Sequence, residues 1–71
     1  MEANIEEIKE LIQKEYRGNQ TWFAEEIGIN ASYLSEIINK KKSAKSSKLC
    51  LAIIKWCERK KKNYRNYIFF N

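Results

Sequence analysis

Gln20-Thr21-Trp22-Phe23-Ala24-Glu25-Glu26-Ile27-Gly28-Ile29-Asn30-Ala31-Ser32-Tyr33-Leu34-Ser35-Glu36-Ile37-Ile38-Asn39 is the stretch whose reading decides the fold. It holds two short helical patterns. Each follows an asparagine, Asn19 or Asn30, whose side chain can accept from a free amide of the first turn. Phe23, Ala24 and Ile27 make the inner face of the first pattern, and Leu34, Ile37 and Ile38 that of the second. Ala24 stands where the two helices cross, and a larger side chain would part them. Gly28 takes the position where the chain reverses. A positive φ is expected there, which a residue without a Cβ tolerates best, and the crowding of the turn is expected to leave no room for a branched side chain. Ile29 plugs the corner. Two helices of about eight residues joined by a three-residue turn form a helix-turn-helix pattern.

Working outward, residues 4–16 place Ile5, Ile8, Leu11, Ile12 and Tyr16 at helical spacing, with Glu6, Glu7, Lys9 and Glu10 on other faces. Asn4 caps this helix and Gly18 is the expected breaker at its end. Trp22 stands either at the rim of the core or exposed. On the other side of the motif, residues 39–47 have little apolar content and read as a basic loop. Ser46 or Ser47 then caps a fourth helix carrying Leu49, Cys50, Ile53, Trp56 and Cys57 at periods of three and four. That helix runs into Arg59-Lys60-Lys61-Lys62, which either reach flanking phosphates or decorate a helix end. The aromatic tail, residues 63–71, fits a short helix by the spacing of Tyr64, Tyr67 and Ile68, and a strand by its aromatic content. Both forms are consistent with the pattern.

Seventy-one residues make at most one domain, and 44% hydrophobic with 32% charged residues reads as globular. The fold class expected is all-α, a bundle of four or five helices. The longest apolar runs are far too short to span a membrane, and the Met1-Glu2-Ala3-Asn4 start reads as no secretory signal, so a cytoplasmic protein is expected. Cys50 and Cys57 lie seven positions apart on one helix. Two turns separate their Cα atoms by roughly 10 Å, beyond the roughly 7 Å limit of a disulfide, so both read as reduced core residues. Neither a histidine, a metal cluster, a nucleophile with triad partners nor a glycine-rich phosphate loop stands in the chain, and no enzyme, metal or cofactor is expected.

Charge placement says more than the formal +5. Residues 1–39 carry three basic and eight acidic side chains, a net of −5, whereas residues 40–71 carry eleven basic and one acidic, a net of +10. That asymmetry points to a polyanion met by the second half, a nucleic acid or an anionic membrane surface. The membrane reading is the weaker, since residues 40–48 lack an interleaved apolar face.

The segment 20–39 resembles the helix-turn-helix of the Cro and phage-repressor class, the XRE type, through Gln20, Ala24, Gly28, Leu34, Ile37 and Asn39. The resemblance extends more weakly from Ile5 to Trp56. It implies a lambda-repressor-like bundle that binds double-stranded DNA, usually as a dimer on a palindromic operator, as a transcriptional regulator and most often a repressor. It implies that Gln20 opens the first motif helix against a phosphate, that Ala31, Ser32 and Tyr33 open the recognition helix with Ser35 and Glu36 further along its exposed face, and that Asn39 approaches a phosphate. The family often carries a glycine after that asparagine, where this chain has Lys40.

The chemistry of the residues agrees with these roles. Ser32 and Ser35 can exchange hydrogen bonds with several bases, the Ala31 methyl can meet a thymine methyl, and Glu36 can accept from cytosine N4. Tyr33 is long enough for a phosphate or sugar. No arginine or lysine stands on this helix, so bidentate guanine reading is absent and DNA shape gains weight. Lys40, Lys41, Lys42 and Lys45 are expected to neutralise phosphates, with Lys48 opening the next helix. Tyr64, Tyr67, Ile68, Phe69 and Phe70 carry more apolar surface than a free terminus usually exposes. They are expected to form a two-fold contact, as a paired strand or crossed helix, that sets two recognition helices about 34 Å apart. The alternative is that the tail folds back to close the chain's own core. A protein-interaction module, or a mobile-element accessory protein built on the same scaffold, is the competing function.

Overall fold

Asparagine and serine set where the helices begin. The computed structural model describes residues 1–70, and Asn71, the last residue of the aromatic tail, lies outside them. Among the described residues there are four α-helices: α1 (Ile5–Glu15), α2 (Gln20–Ile27), α3 (Ala31–Ile38) and α4 (Ser47–Lys60). Asn4 Oδ1 accepts from the Glu7 amide at 3.3 Å and Asn19 Oδ1 from Trp22 at 2.9 Å. Asn30 Oδ1 takes the Ser32 and Tyr33 amides at 2.8 and 3.2 Å, and Ser46 Oγ takes that of Leu49 at 3.2 Å. Each cap satisfies amides that a helix leaves free at its start.

The helix ends share one device. Arg17, Gly28, Lys40 and Lys61 all adopt the left-handed conformation, with φ of 53°, 77°, 62° and 57°. The amide after each returns to a carbonyl of the last turn: Gly18 to Ile12 at 3.0 Å, Ile29 to Ala24 at 3.0 Å, Lys41 to Glu36 at 2.7 Å and Lys62 to Cys57 at 2.9 Å. The last three, each reaching five residues back, are Schellman closures; the Gly18 bond reaches six. Only α2 closes on a glycine. The other three hold a residue with a Cβ where one costs about 1 kcal/mol. Gly18, the breaker expected after α1, has a positive φ of 76° and donates the closing bond, with Arg17 already left-handed before it.

The apolar positions read from the sequence make one core. Ile8, Leu11, Ile12 and Tyr16 of the first helical region, Phe23, Ala24 and Ile27 of α2, Leu34, Ile37 and Ile38 of α3, and Leu49, Cys50, Ile53, Trp56 and Cys57 of α4 are all buried. Rings link the layers edge to face: Tyr16 to Phe23 at 5.1 Å, Phe23 to Trp56 at 5.5 Å and Trp56 to Tyr67 at 6.2 Å. Trp22 lies outside this core, 46% exposed, with its ring against Tyr16 at 4.8 Å. Both cysteines are free, and burial pushes both thiols up, which suits inert core residues. The Cα radius of gyration is 10.8 Å, against about 11 Å expected of a globular chain this long. The architecture is a compact, mostly helical four-helix bundle.

The all-α expectation needs one correction. The two ends of the chain meet as a small antiparallel pair, β1 (Glu2–Ala3) and β2 (Ile68–Phe69), with Glu2 opposite Phe69 and Ala3 opposite Ile68. Pairing puts Ala3 and Ile68 on the inner face, each 2% exposed, and Phe69 outside. The tail combines both of its expected forms, a 3-10 turn at Tyr64–Asn66 and then the strand. None of the helices among the described residues is long and apolar enough to cross a membrane.

Candidate nucleic-acid interface

Helix α3 has two unlike faces. Leu34, Ile37 and Ile38 are buried, whereas Ser32, Ser35, Glu36 and Asn39, at helical steps of three and four, lie along the opposite side, Ser32 and Asn39 exposed and the others half-buried. The Asn39 Nδ2 donates to Ser35 Oγ at 3.2 Å, tying two of these polar groups together. Ala31 is half-buried against the core, which turns part of its methyl away from any ligand on this face. At the entry to α3, Gly28 has the expected positive φ. The expected crowding is corrected: a Cβ there would meet nothing within 4 Å. The conformation alone restricts that position. Ile29 packs half-buried on the core, as a corner residue should, and Gln20 stands half-buried at the first position of α2.

The loop after α3 brings the candidate lysines to the surface. Lys40, Lys41, Lys42 and Lys45 are all exposed. Among them Lys42 alone meets a carboxylate, Glu36 at 3.8 Å. The loop is held at both ends. The Lys41 and Lys42 amides donate to the Glu36 carbonyl at 2.7 and 3.2 Å, and the Ala44 carbonyl accepts from the Ala3 amide of β1 at 2.8 Å. The strand formed by the chain's first residues therefore anchors the basic loop. Two residues are too few for an alternating pattern, so nothing in the sequence signals that anchor.

Tyr33 does something the sequence did not suggest. Its hydroxyl, expected to reach a phosphate, pairs within the chain with the Ser46 hydroxyl that caps α4. Its ring lies 5.2 Å from the Lys42 ammonium and 5.4 Å from that of Lys48, both within cation–π reach. Ser46 and Lys48 thus join the neighbourhood of α3.

Three of the four residues of the second basic cluster are engaged inside the molecule. The Arg59 guanidinium donates to the Glu26 carbonyl at 2.7 Å, at the C-terminal end of α2 where a cation offsets the helix dipole. Lys60 lies 3.6 Å from the Glu26 carboxylate and Lys62 3.0 Å from that of Glu15. The Glu15 carboxylate holds the Lys62 ammonium above its ordinary range. Of the two readings of this cluster, the geometry favours the helix end.

The five tail residues expected at a two-fold contact divide. Ile68 is taken into the chain's own core, Tyr67 packs half-buried on Trp56, and Tyr64 is half-buried with Phe70 against it at 5.6 Å. Phe69 and Phe70 remain about half exposed, at 51% and 50%. One side of β1 is closed by Ala44 and the other by β2. In an antiparallel ladder the Asn4 to Tyr67 bond at 2.8 Å leaves the Ile68 N–H and C=O pointing away from β1, at the open edge of β2. Comparison of the chain with protein-family models, with curated proteins and with solved structures gave no match.

Proposed function

We propose that this chain binds double-stranded DNA through a helix-turn-helix formed by α2 and α3, with α3 in the major groove, and that it acts as a transcriptional regulator, most simply a repressor. The observation that carries this reading is the junction of α3 with its loop. A polar face of short side chains, Ser32, Ser35, Glu36 and Asn39, runs directly into four exposed lysines of which three have no carboxylate partner among the described residues. Base edges ask for small donors and acceptors on a helix face, and phosphates ask for unpaired cations beside it. Ser32 and Glu36 read bases in this scheme, and Lys40, Lys41, Lys42 and Lys45 bind the backbone.

The same reading takes a second copy of the chain as partner. The open edge of β2 and the half-exposed Phe69 and Phe70 supply backbone groups and apolar surface for a two-fold contact. Two copies so joined would suit a palindromic operator. Because Ile68 belongs to the core, the test replaces Phe69 and Phe70 with serine rather than removing the tail. Solution mass measured against concentration, alone and with duplex, should show the full chain dimerising and the doubly substituted chain staying folded and monomeric. A folded wild-type chain that fills two half-sites without cooperativity and stays monomeric on DNA rules the two-fold contact out.

Selection of bound molecules from random duplexes tests the central claim. The expected result is an enriched motif, bound with an affinity that falls as salt rises and exceeds that for scrambled duplex. Binding with no preferred sequence would reduce the role to non-specific association. No duplex binding at low salt would leave a protein-interaction module as the better account.

A further inference from the structure

Tyr33 is the one aromatic on α3, and its contacts do not fit those of a DNA ligand. The hydroxyl is committed to Ser46, which in turn accepts from the Leu49 amide at 3.2 Å. The ring collects two ammonium groups from opposite ends of the loop, Lys42 at 5.2 Å and Lys48 at 5.4 Å. Lys42 also lies 3.8 Å from the half-buried Glu36 carboxylate, whereas Lys48 has no carboxylate partner among the described residues. Held on a ring a lysine keeps its charge. An aromatic face attracts a cation through its quadrupole without neutralising it, whereas a carboxylate partner cancels most of the field a phosphate would meet. Free lysine side chains also lose considerable rotamer entropy when a ligand orders them. Cations already gathered on a ring lose less of it.

Resting on the DNA-binding reading above, we propose that Tyr33 is a positioning residue: its ring gathers Lys42 and Lys48 into a preordered phosphate clamp beside α3, and its bond to Ser46 fixes that ring to the start of α4. Lys48 thereby joins the phosphate-binding set. Tyr33 itself touches neither base nor phosphate.

Three variants separate the parts. Tyr33→Phe keeps the ring and loses the hydroxyl, Tyr33→Leu loses both, and Lys42→Ala/Lys48→Ala removes the clamp. In the free protein, ring-current shifts on the ε-methylene protons of Lys42 and Lys48 should persist in Tyr33→Phe and vanish in Tyr33→Leu. Duplex titrations at several salt concentrations, below each variant's melting point, should then give Tyr33→Phe near wild type. Tyr33→Leu should be several-fold weaker on every sequence alike, and the double lysine variant weaker still, with a salt slope lower by about one to two units. Tyr33→Leu placed in the double lysine background should add no further loss. The proposal is overturned if folded Tyr33→Leu keeps full affinity, or if Tyr33→Phe keeps the ring-current shifts yet falls as far as Tyr33→Leu. It is likewise overturned if Tyr33→Leu still weakens binding once both lysines are gone, since each of the last two results makes Tyr33 a direct contact. Wild-type protein that binds no duplex removes the DNA reading and this proposal with it, a result distinct from the other three because the ring-current shifts are read without DNA.

Discussion

The lysines of residues 40–48 and the basic run 59–62 carry the same kind of charge into different company. At the end of α4, Glu15 and Glu26 from α1 and α2 stand within 3.6 Å of Lys62 and Lys60, and Arg59 closes on the last turn of α2. Two of the eight carboxylates of the acidic first half, Glu15 and Glu26, are paired with this cluster. Around the loop, among the described residues, the one carboxylate within ion-pair distance is Glu36, 3.8 Å from Lys42, and an aromatic ring holds Lys42 and Lys48. A count of basic residues therefore says little about where a polyanion binds. What is left after internal pairing says more, and four of those cations, Lys40, Lys41, Lys45 and Lys48, stand within nine residues just after α3.

The strongest way to break this comparison is to remove charge from each cluster in turn. Changing Lys40, Lys41 and Lys45 together to alanine should lower duplex affinity by at least about tenfold and reduce the salt slope by up to about three units. Stability should stay within about 0.5 kcal/mol of wild type, because these side chains are exposed. Fluorescence anisotropy across a salt series, with a thermal melt beside it, reads both quantities. Arg59→Ala should do the reverse. It removes a charge-assisted bond to the Glu26 carbonyl, worth about 1 kcal/mol at an exposed site, and should leave the salt slope alone. If Arg59→Ala lowers the slope as much as a loop lysine does, the two clusters are one surface and the comparison fails.

The parts of the fold legible in the sequence were those governed by local chemistry. Asn4, Asn19, Asn30 and Ser46 mark helix starts because capping involves a side chain and an amide two or three residues away. The buried faces of α1 to α4 follow from apolar spacing alone. What escaped depends on residues distant in the chain. The meeting of Ala3 with Ile68, the anchoring of Ala44 by Ala3 and the pairing of Tyr33 with Ser46 leave no periodic trace. The division of the tail into a buried Ile68 and an exposed Phe69 also needed β1, since only a strand partner decides which of two neighbouring apolar residues faces inward. The exposure of the candidate residues was legible in the sequence, but their contacts with one another were not. Open space around Gly28 shows the limit: the sign of φ could be read from the residue, the crowding could not.

A smaller effect sharpens the comparison from the backbone. Lys40 and Lys61 occupy equivalent left-handed positions, at φ 62° and 57°, one in each basic cluster. Glycine at either should relieve the strain of a Cβ there, partly offset by the greater freedom of the unfolded chain. A gain of about 0.5 kcal/mol is expected from Lys40→Gly and from Lys61→Gly alike, measured by denaturant melts. Only Lys40→Gly should also weaken duplex binding, by one phosphate contact's share of the salt slope. Equal losses of affinity at both positions would mean that the end of α4 also lies on the DNA.

The smallest expected effect is a dependence on alkaline pH that belongs to the paired cluster. Glu15 holds the Lys62 ammonium above its ordinary value of 10.5, through a hydrogen bond at 3.0 Å. A cation whose pKa is raised by folding adds stability that is complete below the unfolded value, and loses it as pH rises through the folded one. Tyr16 and Tyr67, whose hydroxyls burial pushes up, act in the same direction, because the unfolded chain releases their protons first. The wild-type melting temperature should therefore fall between about pH 10 and pH 12. Comparison with Lys62→Met isolates the lysine's share, which for a pair this exposed is only about 0.3 kcal/mol. At pH 8 the variant should melt slightly below wild type, and by pH 12 the gap should close. Lys41→Ala, which removes an ammonium without a carboxylate partner among the described residues, should run parallel to wild type across the same range. A gap that stays constant for Lys62→Met would mean that the side chain stabilises by packing on the Trp56 ring, 5.8 Å from its ammonium, rather than by its charge on Glu15.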